Sequence, residues 1–278
     1  MKVVVAEHFG ICFGVRDAVA QAQALAREAP LTILGELVHN PIVRAQLRAQ
    51  GIREEASDDA AQTSRVMITA HGTSDKRRKT LGKRGLVVAD GTCPLVRYAH
   101  EQLKRLVHAG YFPVVIGLAN HVEVHGLVGD FADAFVINES ADIRHLPARS
   151  RYGVIAQTTQ PIDRVRALVA EIARAHPNAK IRFADTVCKP TKDRQLALKK
   201  LIEVADVLVV VGGRQSNNTR QLVETCRGAG KRALHIERPE ELQPEWFRDV
   251  RVVGLTGGTS TLPETVEAVR QRLEEFHD

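Results

Sequence analysis

The sequence is poor in aromatic residues, with one tryptophan, three tyrosines and eight phenylalanines among 278 residues. Proteins that hold single-stranded nucleic acid build stacking platforms from such rings, so the scarcity argues against that class, and no RNA- or DNA-binding motif is present. Cysteine is scarce as well. Its four copies, Cys12, Cys93, Cys188 and Cys226, form no CxxC pair and no dense framework, which argues against a disulfide-stapled secreted domain and against zinc held by paired, closely spaced ligands. No apolar run approaches the roughly 20 residues that span a bilayer. The opening MKVVVAEHFG carries an apolar stretch far too short for a signal-peptide core. These absences lead us to expect a cytoplasmic protein with no membrane association, whose thiols stay free in a reducing compartment.

What is present is an ordinary globular composition, 44% hydrophobic and 26% charged, with a formal net charge of +6. Basic residues cluster at 76–79, followed by Lys83 and Arg84. A solvated helix face is the plainer account of one such run, while the overall balance favours an acidic partner. Short β-branched runs alternate with helical patterns along the whole chain, the signature of an α/β protein with mostly parallel sheets covered by helices. Strands are expected over 2–7, 31–34, 65–70, 86–90, 113–118, 152–156, 181–184, 207–211, 233–236 and 252–255. Helices are expected over 15–29, 41–50, 94–109, 162–175, 191–204 and 263–276. Pro41, Pro94 and Pro263 suit a first helical turn, and Gly51 and Gly110 suit the left-handed cap at the far end.

Polar, glycine-rich or histidine-bearing clusters recur between a strand and the next helix, at 8–14, 35–40, 71–74, 91–94, 120–126, 157–160, 185–190, 212–219 and 256–261. In parallel sheets these junctions lie at the carboxyl ends of the strands, where ligands bind. Cys12, Cys93 and Cys188 each occupy one, in GICFGV, GTCPLV and DTVCKP, at intervals of 81 and 95 residues (93 − 12 and 188 − 93). We therefore expect three α/β modules, 13–93, 94–187 and 188–278, with strand 1–12 joining the last. A lone free cysteine is more often a small buried apolar residue than a ligand, and Cys226, in LVETCRGAG, reads that way. Three in equivalent polar turns form a set. Three thiolates can hold a [4Fe-4S] cluster and leave one iron open for catalysis; catalytic zinc on three cysteines is the remaining competitor.

His39, His71 and His121 fall on the same expected edge. The stretches GGRQSNNT (212–219) and TGGTST (256–261) combine glycines, hydroxyl and amide donors and a helix start, which suits a phosphate as well as a plain polar N-cap. Glu123 stands two residues beyond His121, and Thr158 follows a strand in AQTTQ. A carboxyl enclosed beside a cluster and a diphosphate would be pushed toward its protonated form and could give up a proton.

Taken together, GICFGV, ELVHNP, TAHGTS, GTCPLV, NHVEVHG, AQTTQ, DTVC, SNNT and TGGTST resemble, in order and in register, the motifs of the 4-hydroxy-3-methylbut-2-enyl diphosphate reductase family. The resemblance runs from Cys12 to Ser260. It implies three α/β modules in a pseudo-threefold trefoil around one [4Fe-4S] cluster per subunit, with Cys12, Cys93 and Cys188 as ligands. It further implies that His39, His71, His121, Ser216, Asn217, Asn218 and Ser260 hold the diphosphate, with Thr158 near the substrate hydroxyl and Glu123 as proton source. The implied reaction is the reductive loss of that hydroxyl, giving isopentenyl and dimethylallyl diphosphate, with electrons from an acidic carrier such as a ferredoxin or flavodoxin.

The chain departs from the common family pattern at Asn217, where a second serine is usual, at Val122 and His125 beside Glu123, and in PTKDRQ after Cys188. Two other readings compete. One is a cluster-dependent reductive dehydratase or hydratase acting on another small allylic or acetylenic diphosphate. The other is a non-catalytic cluster-bearing regulator.

Overall fold

The computed structural model describes residues 1–276. Its strands lie in three four-stranded sheets, all parallel, and the chain divides into two compact units. The terminal unit comprises Met1–Val15, His39–Val43 and the chain from Lys189 onward. The central unit comprises Arg16–Val38 and Arg44–Cys188.

In the terminal unit, β1 (Lys2–Val5), β10 (Val207–Val211), β11 (Arg232–Ile236) and β12 (Val252–Gly257) form a sheet in the order β1-β12-β10-β11. All five residues of β10, VLVVV, are buried, as a strand covered on both faces requires. Its side chains alternate between two cores. Val207, Val209 and Val211 pack with Val266, Val269 and Leu273 of α9 (Pro263–Glu275). Leu208 and Val210 pack with residues of α7 (Lys189–Val204) and α8 (Asn217–Gly228), among them Leu198, Leu201, Leu222 and Cys226. The expected core position of Cys226 is the observed one.

The central unit holds two sheets. One has the order β3-β2-β4-β5, from β2 (Leu31–Leu34), β3 (Arg53–Glu55), β4 (Arg65–Ile68) and β5 (Val87–Asp90). The other has the order β7-β6-β8-β9, from β6 (Phe112–Ile116), β7 (Phe135–Ile137), β8 (Arg151–Ala156) and β9 (Lys180–Phe183). Helices α1 (Phe13–Glu28), α2 (Pro41–Ala49), α3 (Asp75–Lys83), α4 (Pro94–His108), α5 (Val122–Val128) and α6 (Ile162–Ala175) complete the set. Pro41, Pro94 and Pro263 each open a helix, and Gly51 and Gly110 have φ of 78° and 77°.

Read from one edge, the three sheets are β5-β4-β2-β3, β9-β8-β6-β7 and β1-β12-β10-β11. The connectivity is the same in each, with one exception. In the third sheet the edge place filled elsewhere by the last strand of the set is taken by the first strand of the chain. Among the described residues, no helix is long and apolar enough to cross a membrane.

Two strands and one helix lie outside the sequence expectation, α3 is expected only as the helix face of the basic run, and α8, marked by its start and by a helical pattern ending near Cys226, runs on to Gly228. β3 (REE) and β7 (FVI) are three-residue edge strands, too short to show a period. α3 (DKRRKTLGK) buries only Leu81, so it has no apolar stripe; Lys76 and Lys79 of the basic run are exposed, whereas Arg77 and Arg78 pair with Asp58 and Asp90. α5 has seven residues. Several expected strands also end early, at Val5 rather than 7, at Ile68 rather than 70 and at Ile116 rather than 118.

Candidate active site

Cys12, Cys93 and Cys188 share one backbone setting. Each follows the edge strand of its sheet (β1, β5 and β9) and immediately precedes a helix (α1, α4 and α7). Each donates its main-chain N–H to a carbonyl just past the neighbouring strand: Cys12 to Thr259 at 2.9 Å, Cys93 to Ala70 at 3.1 Å and Cys188 to Thr158 at 3.0 Å. All three are partly exposed, whereas Cys226 is buried. A helix start also favours an anionic group through the helix dipole. Burial pushes the Cys226 thiol up to about 12, which leaves it protonated and inert as a ligand. Three accessible thiols at equivalent helix starts fit an iron-sulfur cluster in donor type and number.

In the terminal unit the turn after β12 is a hub. Thr259 accepts from Cys12 N–H and donates its own N–H to Asn218 Oδ1 at 2.9 Å. The Ser260 carbonyl accepts from Asn40 Nδ2 at 2.6 Å, and Ser260 Oγ donates to the carbonyl of His39 at 3.4 Å. Ser216 caps α8, its Oγ accepting from Thr219 N–H at 3.4 Å. Ser216, Asn217, Asn218 and Ser260 are all buried. This unit thus gathers Cys12, His39, Ser216, Asn217, Asn218 and Ser260 around the starts of α2 and α8.

The central unit carries the others. His121 caps α5 by accepting Glu123 N–H on Nδ1 at 3.1 Å, and its ring meets that of His71 edge-on with centroids 5.6 Å apart. Close backbone packing fixes that pair. A Cβ on Gly126 would lie 3.2 Å from Thr73 Cα, one on Gly129 would lie 2.9 Å from Ser74 Cβ, and the Asp130 carboxylate accepts from Asp75 and Lys76 N–H at 2.8 and 2.9 Å.

Glu123 is 2% exposed. Thr158 holds its carboxyl by two donors, the N–H to Oε1 at 2.6 Å and the hydroxyl to Oε2 at 3.1 Å. Burial pushes the carboxyl upward, the Thr158 hydrogen bonds oppose this, and the result is about 7. Glu123 is therefore a neutral acid for part of the time near neutrality. Because the Thr158 carbonyl also accepts from Cys188 N–H, one residue ties the acid to a thiol-bearing loop.

The chain matches the LytB protein family over residues 3–274. It belongs to the LytB family. The LytB chain is 36% identical to the 4-hydroxy-3-methylbut-2-enyl diphosphate reductase of Aquifex aeolicus, over 99% of this chain and 97% of that protein. It is 35% identical to the enzyme of the same name from Pelobacter propionicus, over 100% and 99%. A solved structure described as (E)-4-hydroxy-3-methyl-but-2-enyl diphosphate reductase, the terminal enzyme of the non-mevalonate pathway, is 36% identical with a TM-score of 0.70, covering 99% of this chain and 100% of that one. The Plasmodium falciparum reductase has the same fold, with a TM-score of 0.91 at 24% identity over 97% of this chain and 87% of that one.

Sequence reasoning passed over three residues of this LytB chain that tie these loops in place. Gln157 is fully buried and accepts on Oε1 from Leu118 N–H at 3.1 Å and from Gln160 Nε2 at 3.1 Å, linking the loop before His121 to the one bearing Thr158. Arg194 is buried and donates to the carbonyls of Pro190, at 2.8 Å, and Gly10, each two residues from a thiol, Cys188 and Cys12 respectively. Asn40 carried a readable signal, an Asn-Pro pair at a helix start, but its partner Ser260 lies 220 residues away. Because Cys226 stands apart from all these contacts, Cys226→Ala should keep full iron and sulfide content. Its cost should be confined to about 1 kcal/mol of stability, measured by denaturation, and loss of the cluster would show that the wrong thiols were chosen.

Proposed function

We infer that this chain is a 4-hydroxy-3-methylbut-2-enyl diphosphate reductase, which removes the hydroxyl of that allylic diphosphate with two electrons and two protons. Water leaves, and isopentenyl and dimethylallyl diphosphate are formed. The observation that carries the cofactor part of the reading is the common setting of Cys12, Cys93 and Cys188, each at a helix start with its N–H donated to the neighbouring strand's loop. Those thiolates would hold one [4Fe-4S] cluster. When bound, the cluster supplies the electrons and a Lewis-acidic iron.

The chain's own groups do the rest. His39, His71 and His121 would donate ring N–H groups to the diphosphate, His121 through Nε2 because its Nδ1 accepts the Glu123 N–H. Ser216, Asn217, Asn218 and Ser260 would add hydroxyl and amide donors, with the start of α8 contributing its N–H groups and dipole. Thr158 would orient the substrate hydroxyl through the same Oγ that meets Glu123. Glu123, shielded from water, would hold the proton given to the departing oxygen.

The net charge of +6 supports an acidic electron carrier, such as a ferredoxin or flavodoxin, as the donor. The common connectivity of the sheets supports three modules at 13–93, 94–187 and 188–278, with 1–12 completing the last. The composition and the lack of an apolar spanning helix among the described residues support a cytoplasmic location. The test is anaerobic reconstitution followed by assay with 4-hydroxy-3-methylbut-2-enyl diphosphate and dithionite-reduced viologen. Both isoprenoid diphosphates are expected as products. An intact cluster with no turnover of this substrate would transfer the reading to another small allylic diphosphate.

A further inference from the structure

His39 belongs to a five-residue excursion. The chain leaves the central unit at Val38, contributes His39–Val43 to the terminal unit, and returns at Arg44. Val43 anchors its far end in the core, and specific ties hold the residues before it. The hydrogen bonds identify them. Asn40, 4% exposed, accepts on Oδ1 from the N–H groups of Ile42 and Val43 at 2.9 and 3.2 Å, capping the first turn of α2. The other end of the same amide donates to the Ser260 carbonyl at 2.6 Å.

The segment also fits against Gly213. A Cβ there would overlap the His39 carbonyl oxygen and lie 3.4 Å from Pro41 Cδ, so the glycine admits the strap. Ser260 Oγ reaches the same His39 carbonyl at 3.4 Å. Two hydrogen bonds therefore tie His39 and Asn40 to the turn bearing Ser260, Gly213 packs against the same carbonyl, and Asn40 is the one whose side chain spans helix and turn together.

We propose that Asn40 is a positioning residue that sets His39 against the Ser260 turn and so governs affinity for the diphosphate moiety of the substrate. The proposal rests on the reading of His39 and Ser260 as diphosphate ligands. A residue acting this way controls binding more than the chemical step, because the proton source and the thiols are held by other contacts. Its loss should raise KM with little change in kcat, the signature of binding shared by ground state and transition state.

The test uses Asn40→Ser in the anaerobic holoenzyme. A serine hydroxyl still caps α2 but is too short to reach the Ser260 carbonyl, and it introduces no charge that would itself repel an anion. Gly213→Ala disturbs the same strap at the His39 carbonyl and leaves Asn40 untouched. For both variants, the Kd for inorganic diphosphate measured by calorimetry should rise about tenfold or more, as for loss of a hydrogen bond to a charged group. The KM for the allylic diphosphate substrate should rise in parallel, while kcat and iron content stay within about threefold of wild type. Unchanged Kd and KM in both variants would overturn the proposal, and so would a fall in kcat and iron content at constant KM. Failure of the proposed reaction would show differently: wild-type protein would not reduce the substrate, and the diphosphate Kd would still decide the role of Asn40.

Discussion

Glu123→Gln should lower turnover by about 10²–10⁴, the usual contribution of a positioned general acid, while leaving iron and sulfide content unchanged. Glutamine has nearly the shape of the carboxylic acid. Its amide oxygen can keep the Thr158 N–H bond now made by Oε1, and its amino group can donate to the Thr158 hydroxyl oxygen now bonded to Oε2. The fully packed pocket is preserved and the transferable proton is removed. The pH dependence has a defined sign. Burial raises the Glu123 carboxyl to about 7, so the acid form predominates below that pH and is lost as pH rises through it. Wild-type kcat should fall on the alkaline side of about 7, and the residual activity of the variant should lack that limb. A variant that turns over within about threefold of wild type would remove Glu123 as the proton source.

The second large effect concerns the thiols. Cys12→Ser, Cys93→Ser and Cys188→Ser should each reduce the cluster, measured as iron and acid-labile sulfide, to background and take the activity with it. Serine offers a hard oxygen in place of the soft thiolate that iron-sulfur clusters require. The polypeptide should stay folded, because the bond that anchors each position is made by the main-chain N–H and survives the change. All three side chains are partly exposed, so the stability change in the unloaded protein should lie within about 0.5 kcal/mol. Normal iron content in any one variant would take that residue out of the ligand set.

The fold class was readable because buried strands such as VLVVV (207–211) and proline-started helices such as that at Pro94 carry strong local signals. What escaped was local structure without a hydrophobic signature. The strand REE at 53–55 has no apolar residue and owes its place to pairing with β2. Strands expected to run two residues further stop at Val5, Ile68 and Ile116, short of the polar clusters that begin at 8, 71 and 120.

In the candidate site, the junction pattern drew attention to the cysteines, histidines and phosphate-type loops. It was silent on what aims them. Gln157 and Arg194 act on loops distant in sequence, and a lone glutamine or arginine has no spacing that betrays such a partner. The elevated Glu123 carboxyl likewise follows from enclosure, which only the folded chain provides.

The N-terminal edge strand sets a timetable for synthesis. Val5 pairs with Leu255, 250 positions later (255 − 5), so at about 5–20 residues per second the ribosome needs about 12–50 s between making the first strand and making its neighbour. The two sheets of the central unit draw all their strands from 31–183 and can pair while the rest is still being translated. Throughout that interval KVVV is an apolar strand with no partner, exposed to wrong pairing. The carbonyl of Thr259, which receives Cys12 N–H, is made 247 positions after that thiol (259 − 12). Of the three ligand thiols, the one translated first is thus the last to reach its place.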